Sequence, residues 1–364
     1  MQRSPIVFVL CLLAAGAGAQ TDQYVISRQG TVTVFPVYQT WSAKDAGVSF
    51  SQASATLSAY MPIGRSMSFS LRSGGAGSGG DVPALGGLAD LQAGWTYYWE
   101  SINTIFTVGL NAPTGKRELT RDQFLTSVLF SNSLFNLQVP VLGQGLNINP
   151  GAAWVFPVRE NLVLGLAAAY QYRGPYKPRE ALDEYDPGDE ITGSAGIDYR
   201  ATEAVSISMD VVFTAYTADR FAGSTVYASG NSYWANLQYR QYFREDELIL
   251  FAGYRTKSKG QTAGAGGLVD EKERLEPGRL DVSAQYRQSF GQRFSLSYIL
   301  DGRVFETTPS IYAGAKVIGA GLAPTLTFAS GLFVPARVKV QYGKLKGGET
   351  ITGLEGGVGV GFTF

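Results

Sequence analysis

The sequence predicts an all-β protein: a transmembrane antiparallel β-barrel of about 16 strands, with 14 or 18 needing only one hairpin reassigned. Three observations predict it. Apolar and polar residues alternate over runs of about ten residues, the connections between runs are short at one end and long at the other, and aromatic residues gather where the runs end.

The alternation is plainest in three places. Val205, Ile207, Met209, Val211, Phe213 and Ala215 interleave with Ser206, Ser208, Asp210 and Thr214. Leu280, Val282, Ala284 and Tyr286 alternate with Asp281, Ser283, Gln285 and Arg287, and Val334 to Tyr342 behave likewise around Arg337, Lys339 and Gln341. A period of two is the strand signature, and about ten tilted residues cross a hydrocarbon layer. Beyond the N-terminal segment no apolar run approaches the length of a membrane helix, so a helical membrane protein is excluded.

Taken in order, the strands fall at 30–42, 47–61, 66–73, 88–99, 103–112, 141–156, 162–173, 190–199, 205–217, 232–243, 247–256, 279–290, 294–304, 317–328, 332–342 and 350–364. Tight turns are expected around Gly64, Ser101, Arg159, Thr202, Glu245, Gly291 and Ser330, and long connections at 74–87, 113–140, 174–189, 218–231, 257–278 and 305–316. A sandwich with Greek-key crossovers scatters its long connections. Alternating short and long connections is the order of an outer-membrane barrel, with short periplasmic turns and long extracellular loops. The ends of such a sheet must pair, because a strand edge facing hydrocarbon has no water to satisfy its N–H and C=O groups.

Residues 1–19 read as a signal peptide: Arg3, an apolar stretch from Ile6 to Leu13, then Ala17-Gly18-Ala19 before Gln20. Residues 20–364 form the barrel. Its last strand alternates through Leu354, Gly356, Val358, Val360, Phe362 and Phe364. A terminal Phe after such alternation resembles the C-terminal signal by which Gram-negative barrels are recognised for insertion. The resemblance implies that Phe362 and Phe364 carry that signal, that the barrel-insertion machinery and outer-membrane lipid are partners, and that the bacterial outer membrane is the location.

Aromatics mark two interfacial belts. One holds Tyr97, Tyr98, Trp99, Trp154, Phe156, Tyr199, Tyr242, Phe243, Phe290, Phe294, Phe328, Phe333 and Phe364. The other holds Tyr170, Tyr172, Tyr216, Tyr233, Trp234 and Tyr254.

Composition removes most chemistry. The chain has no histidine, and its one cysteine, Cys11, lies in the signal segment. Nucleophiles that depend on imidazole, His-ligated metals and thiolate sites are gone, so no catalytic residue, metal or cofactor is expected and the protein is read as not an enzyme. Lys plus Arg balance Asp plus Glu at 30 each, which leaves no basic footprint for nucleic acid. Gly75 to Gly80 match G-x-G-x-x-G without a βαβ unit around them. The acidic loop with Glu180, Asp183, Glu184, Asp186, Asp189 and Glu190 matches no calcium loop and reads as solvated.

Charges on strands are more informative, since Arg or Lys facing lipid at mid-depth costs roughly 2–4 kcal/mol. Arg240, Arg255, Arg287, Arg337 and Lys339 are therefore expected to point inward, with Asp210, Asp281 and Glu355 as partners. Two outcomes are open: a charged pore lining that filters solutes, or ion pairs that stiffen the wall.

Residues 113–140 are too apolar for an exposed loop. Phe124 with Val128, and Leu125 with Leu129, have the i,i+4 spacing of a short helix, expected here as an inward element that narrows the pore. The alternatives are a further strand pair or an outer cap.

Gly87-Leu88-Ala89-Asp90-Leu91-Gln92-Ala93-Gly94, the apolar run Thr104 to Leu110, and Asn111-Ala112-Pro113-Thr114-Gly115-Lys116 together resemble a pattern of the outer-membrane proteins associated with phenol meta-cleavage pathways. That pattern is G-x-x-D-x-x-x-G, an apolar strand, and L-P-T-G, with Asn111-Ala112 standing here where Leu commonly precedes Pro. The resemblance implies a channel for small aromatic or other hydrophobic solutes. A surface adhesin or structural envelope anchor is the alternative, and the oligomeric state is not readable.

Overall fold

The computed structural model describes residues 29–116, 118–264, 266–308 and 313–364. The expected signal segment, 1–19, lies outside the described residues. Sixteen strands form the wall: β1 (Thr31–Ala43), β2 (Val48–Ile63), β3 (Met67–Gly80), β4 (Leu85–Leu88, resuming at Leu91–Trp99), β5 (Thr104–Ala112), β6 (Asn147–Arg159), β7 (Leu162–Arg173) and β8 (Glu190–Arg200) make the first half. The second half is β9 (Val205–Tyr216), β10 (Ser232–Phe243), β11 (Asp246–Lys257), β12 (Arg279–Phe290), β13 (Phe294–Phe305), β14 (Lys316–Thr327), β15 (Leu332–Lys344) and β16 (Thr350–Val358, resuming at Val360–Thr363). Each strand pairs antiparallel with the next, and β16 pairs with β1, so the sheet is closed. Gly30 and Phe364 complete the seam by exchanging backbone hydrogen bonds of 2.9 and 3.0 Å.

Number and order of strands agree with the reading from alternation; the largest shifts are at two edges, and the long connection expected at 74–87 shrinks to residues 81–84. β3 runs on to Gly80 because its glycines pair residue by residue with β2, from Gly74 opposite Thr56 to Gly80 opposite Phe50. A neighbouring strand on each side satisfies backbone groups that glycine alone does not direct into a sheet. β6 begins at Asn147 because 141–146 belong to the segment inside the barrel.

The two faces have opposite character. Val32, Leu57, Leu166, Val211, Leu237, Leu300, Val340 and Leu354 stand exposed on the outside, whereas Gln39, Gln52, Thr192, Asn236, Gln238, Glu247, Lys339 and Glu355 are buried inside. An apolar exterior around a polar interior is the reverse of a water-soluble domain. Trp99, Trp154, Phe156, Tyr199, Phe290 and Phe364 ring the end with short turns, and Tyr38, Tyr170, Tyr172, Tyr233, Tyr254 and Tyr342 ring the end with loops. Tyr216 and Trp234 are corrections to the second belt. They share the parity of buried Thr214 and Asn236, so they face inward.

Beyond the loop end, Tyr185–Asp186, Ala218–Phe221, Ser224–Ala228, Gln261–Gly264 and Gly267–Asp270 pair into a small antiparallel sheet built from three loops. One helix of more than one turn occurs among the described residues, α1 (Arg121–Phe130), and none is long and apolar enough to cross a membrane. Thr120 and Gln123 start α1 with a capping box: the Gln123 N–H donates to Thr120 Oγ1 at 3.3 Å and the Thr120 N–H to Gln123 Oε1 at 3.4 Å.

Candidate functional site: the barrel interior and its inward segment

The connection between β5 and β6 folds into the barrel. Its apolar residues supply the core: Leu119, Phe130, Leu134, Leu137, Val139 and Leu142 are buried against Trp41, Phe50, Leu85, Phe305, Val317 and Ile351 on the inner wall. Phe130 and Phe135 pack on Phe50 with ring centroids 5.2 and 4.9 Å away, and Phe135 meets Trp41 edge-on at 5.4 Å. Trp41, Phe50, Leu85, Phe305, Val317 and Ile351 are inner-face apolar residues that this segment covers, which is the physical reason a polar interior holds a hydrophobic cluster.

Polar side chains of the wall then fix the backbone of the segment. Gln39 Nε2 donates to Asn136 O at 3.2 Å while Gln39 Oε1 accepts from the Gln138 N–H at 2.7 Å. Gln52 does the same at Val139, donating to its carbonyl at 2.9 Å and accepting from its N–H at 3.2 Å. Each primary amide thus copies the two-bond pattern of a strand neighbour. Arg303 donates to Ser133 O at 3.4 Å, and Arg337 to Gln138 Oε1 at 3.4 Å.

The four residues expected to narrow the pore lie on α1 and divide. Phe124 and Leu129 are partly buried against the core, while Leu125 and Val128, between them and away from the buried Thr126 and Phe130, are 59% and 55% exposed.

The charged residues singled out from the sequence all sit on inward-facing positions, and most are paired across the wall. Glu247 lies between Arg240 and Arg287, with N···O distances of 3.3 and 3.0 Å. Arg337 pairs with Glu355 at 2.5 Å, and Lys339 with Asp301 at 2.5 Å. Asp281 takes Arg279 at 2.7 Å rather than one of the cations expected for it, and stands opposite Arg303 in register. Arg255 lies opposite Trp234 and Arg279. Asp210 stands between Gly196 and Asn236, with no ion pair among the described residues. Alternation identified the face; it missed Glu247, Asp301 and Arg279, whose roles depend on which strand lies beside them.

The acidic loop is internally engaged. Asp189 accepts from Tyr170 Oη at 2.5 Å and from the Arg173 N–H at 2.9 Å, and Glu190 pairs with Arg173 at 3.3 Å. Burial, reinforced by a hydrogen bond to Asp219, raises the ionisation of the Tyr185 hydroxyl far above the usual tyrosine range.

No protein-family model matches the chain, and no curated protein does. Solved structures that it resembles include OpdL of Pseudomonas aeruginosa, with 12% identity over 92% of this chain and 98% of that one and a TM-score of 0.49. The outer membrane protein opdK of Pseudomonas aeruginosa shares 10% identity over 92% and 98%, with a TM-score of 0.47. A triple mutant of the Rhodopseudomonas blastica porin shares 13% over 92% and 99%, with a TM-score of 0.37.

Proposed function

We propose that the chain is an outer-membrane channel, without enzymatic activity, that passes small solutes through its polar interior. The single observation that carries this reading is the inward segment in a closed barrel. A wall of sixteen strands leaves a wide lumen, and here an internal segment is fastened to one side of it, along β13 to β16 and β1 to β4. A polypeptide that served only as a wall has no use for such a narrowing. The apolar exterior with its two aromatic rings supports placement in a lipid bilayer.

Small aromatic or hydrophobic compounds are the proposed solutes. This rests on the motif resemblance around Asp90 and Gly115 and on the exposed Leu125 and Val128, an apolar contact surface on the narrowing element. The test is reconstitution into planar bilayers, with conductance and ion selectivity measured with and without small aromatic solutes. Currents that scale with salt and fall on addition of solute are expected. A folded, inserted barrel that carries no current overturns the channel reading and favours an adhesin or anchor, for which the sheet at the loop end is the available surface.

A further inference from the structure

We infer that Asp90 is the positioning residue of the constriction, a carboxylate neck that holds both limbs of the inward segment together where they leave the wall. The inference rests on the channel reading above for its effect on current, and on geometry alone for its effect on the segment.

β4 is broken at Ala89 and Asp90, between its two pieces, and the break turns the Asp90 carboxylate inward, where it is 8% exposed. Oδ1 accepts from the Gly115 N–H at 2.9 Å, on the limb that enters the segment. Oδ2 accepts from the Gln144 N–H at 2.8 Å, on the limb that returns, and from Asn111 Nδ2 at 2.9 Å. Asn111 also donates to Gly145 O at 2.9 Å. One side chain therefore closes a ring on a long segment at its base. Bonds from neutral donors to an ionised acceptor are the stronger kind.

The surroundings are built for this contact. Thr114 repairs the strand break, accepting from the Leu91 N–H at 2.9 Å and donating to Ala89 O at 3.4 Å. The limbs meet backbone to backbone: a Cβ on Gly115 would lie 1.9 Å from Leu142 O and 2.8 Å from Asp90 Oδ1, and one on Gly143 would lie 2.8 Å from Lys116 O. Asp90, Thr114 and Gly115 are thus mutually complementary, although the sequence separates them by a whole strand pair.

The test uses the full mature chain, folded in detergent and in planar bilayers. Asp90→Asn keeps the shape but points an amide N–H at N–H donors. Gly115→Ala leaves the carboxylate and wedges the limbs apart. For both variants, cleavage by trypsin at Lys116 or Arg121 should become about tenfold faster, as expected of local release of the segment. The heat-modifiable mobility of the folded barrel should stay unchanged. In bilayers, conductance should rise by about twofold with more current noise. Variants that fold and show wild-type cleavage rates and wild-type currents overturn the neck. If wild type itself carries no current, the channel reading fails, and the cleavage rates alone decide this one. Should Asp90→Asn fail to fold, Gly115→Ala decides by the same two measurements.

Discussion

Gln39 and Gln52 stand opposite each other in the β1–β2 register, both about 1% exposed, and each clasps the backbone of the inward segment through both ends of its amide. Replacing both by Ala strands buried N–H and C=O groups of Asn136, Gln138 and Val139. An unsatisfied buried polar group costs about 1–3 kcal/mol. The double variant should therefore detach the middle of the segment while the barrel persists. Current noise and hydrogen exchange at 136–139 should both increase, and unchanged exchange there would count against the clasp.

The two faces of α1 predict separable effects. Phe130 is about 1% exposed and packed on Phe50, so Phe130→Ala should weaken docking by about 3–5 kcal/mol, the usual cost of removing a buried Phe. Phe124→Ser with Leu129→Ser should act in the same direction through partly buried contacts. Leu125→Ser with Val128→Ser should leave stability nearly untouched and alter block by aromatic solutes. Identical solute block in this last variant would remove α1 from the solute path.

How much of this was legible differs by element. The strands were, because a wall with lipid outside and water inside forces a period of two on every segment. Gly74 to Gly80 were not, since glycine offers no alternation and only the partner strand keeps it extended. For Tyr216 and Trp234, nearness to a strand end misleads, and the parity that turns Asp210 inward is the better guide. The apolar character of 113–140 announced a buried destination; which wall received it depended on Gln39 and Gln52, two glutamines among many inward polar residues. Asp90 stands in the G-x-x-D-x-x-x-G motif, but its partners Gly115 and Gln144 are distant in sequence and meet only in the fold.

On the proposed channel reading, the cross-wall ion pairs set the charge that a solute meets in the lumen. Lys339 pairs with Asp301 and Arg287 shares Glu247 with Arg240, so Arg287→Ser with Lys339→Ser leaves two carboxylates less compensated. Reversal potentials should shift toward cation preference. Removing Asp301 together with Lys339 should restore the wild-type value. Breaking the Lys339–Asp301 pair should also cost about 1–3 kcal/mol, below the value for fully buried pairs because the Asp301 side chain stays partly exposed. A double charge variant with unaltered selectivity would mean that solutes pass elsewhere.

At the loop end, Tyr185 donates to Asp219 Oδ2 at 2.6 Å, and Asp219 Oδ1 accepts from the Gly188 N–H at 2.7 Å. Burial first, then this bond, raises the tyrosine's ionisation. The folded value lies above the unfolded one, near 10. The contribution to stability is therefore whole below that range and is lost as pH rises through the folded value. In an ultraviolet titration of tyrosinate, wild type should show one tyrosine ionising later than the rest, absent in Tyr185→Phe. A late group that survives the substitution belongs to another tyrosine.

The last strand offers a test of whether Phe364 serves recognition or only structure. Phe362 and Phe364 stack on the outer face with centroids 6.3 Å apart, while the bonds that seal the seam run between the backbones of Gly30 and Phe364. Phe364→Ser removes the ring and keeps every one of those bonds. If the ring serves assembly through recognition, this variant should fold into lipid vesicles on its own at close to the wild-type rate, yet accumulate poorly in the outer membrane of a cell. If the ring only anchors the seam in lipid, both yields should fall together. The comparison of the two yields, read by heat-modifiable mobility on gels, distinguishes the roles because only one of the two reactions involves the insertion machinery.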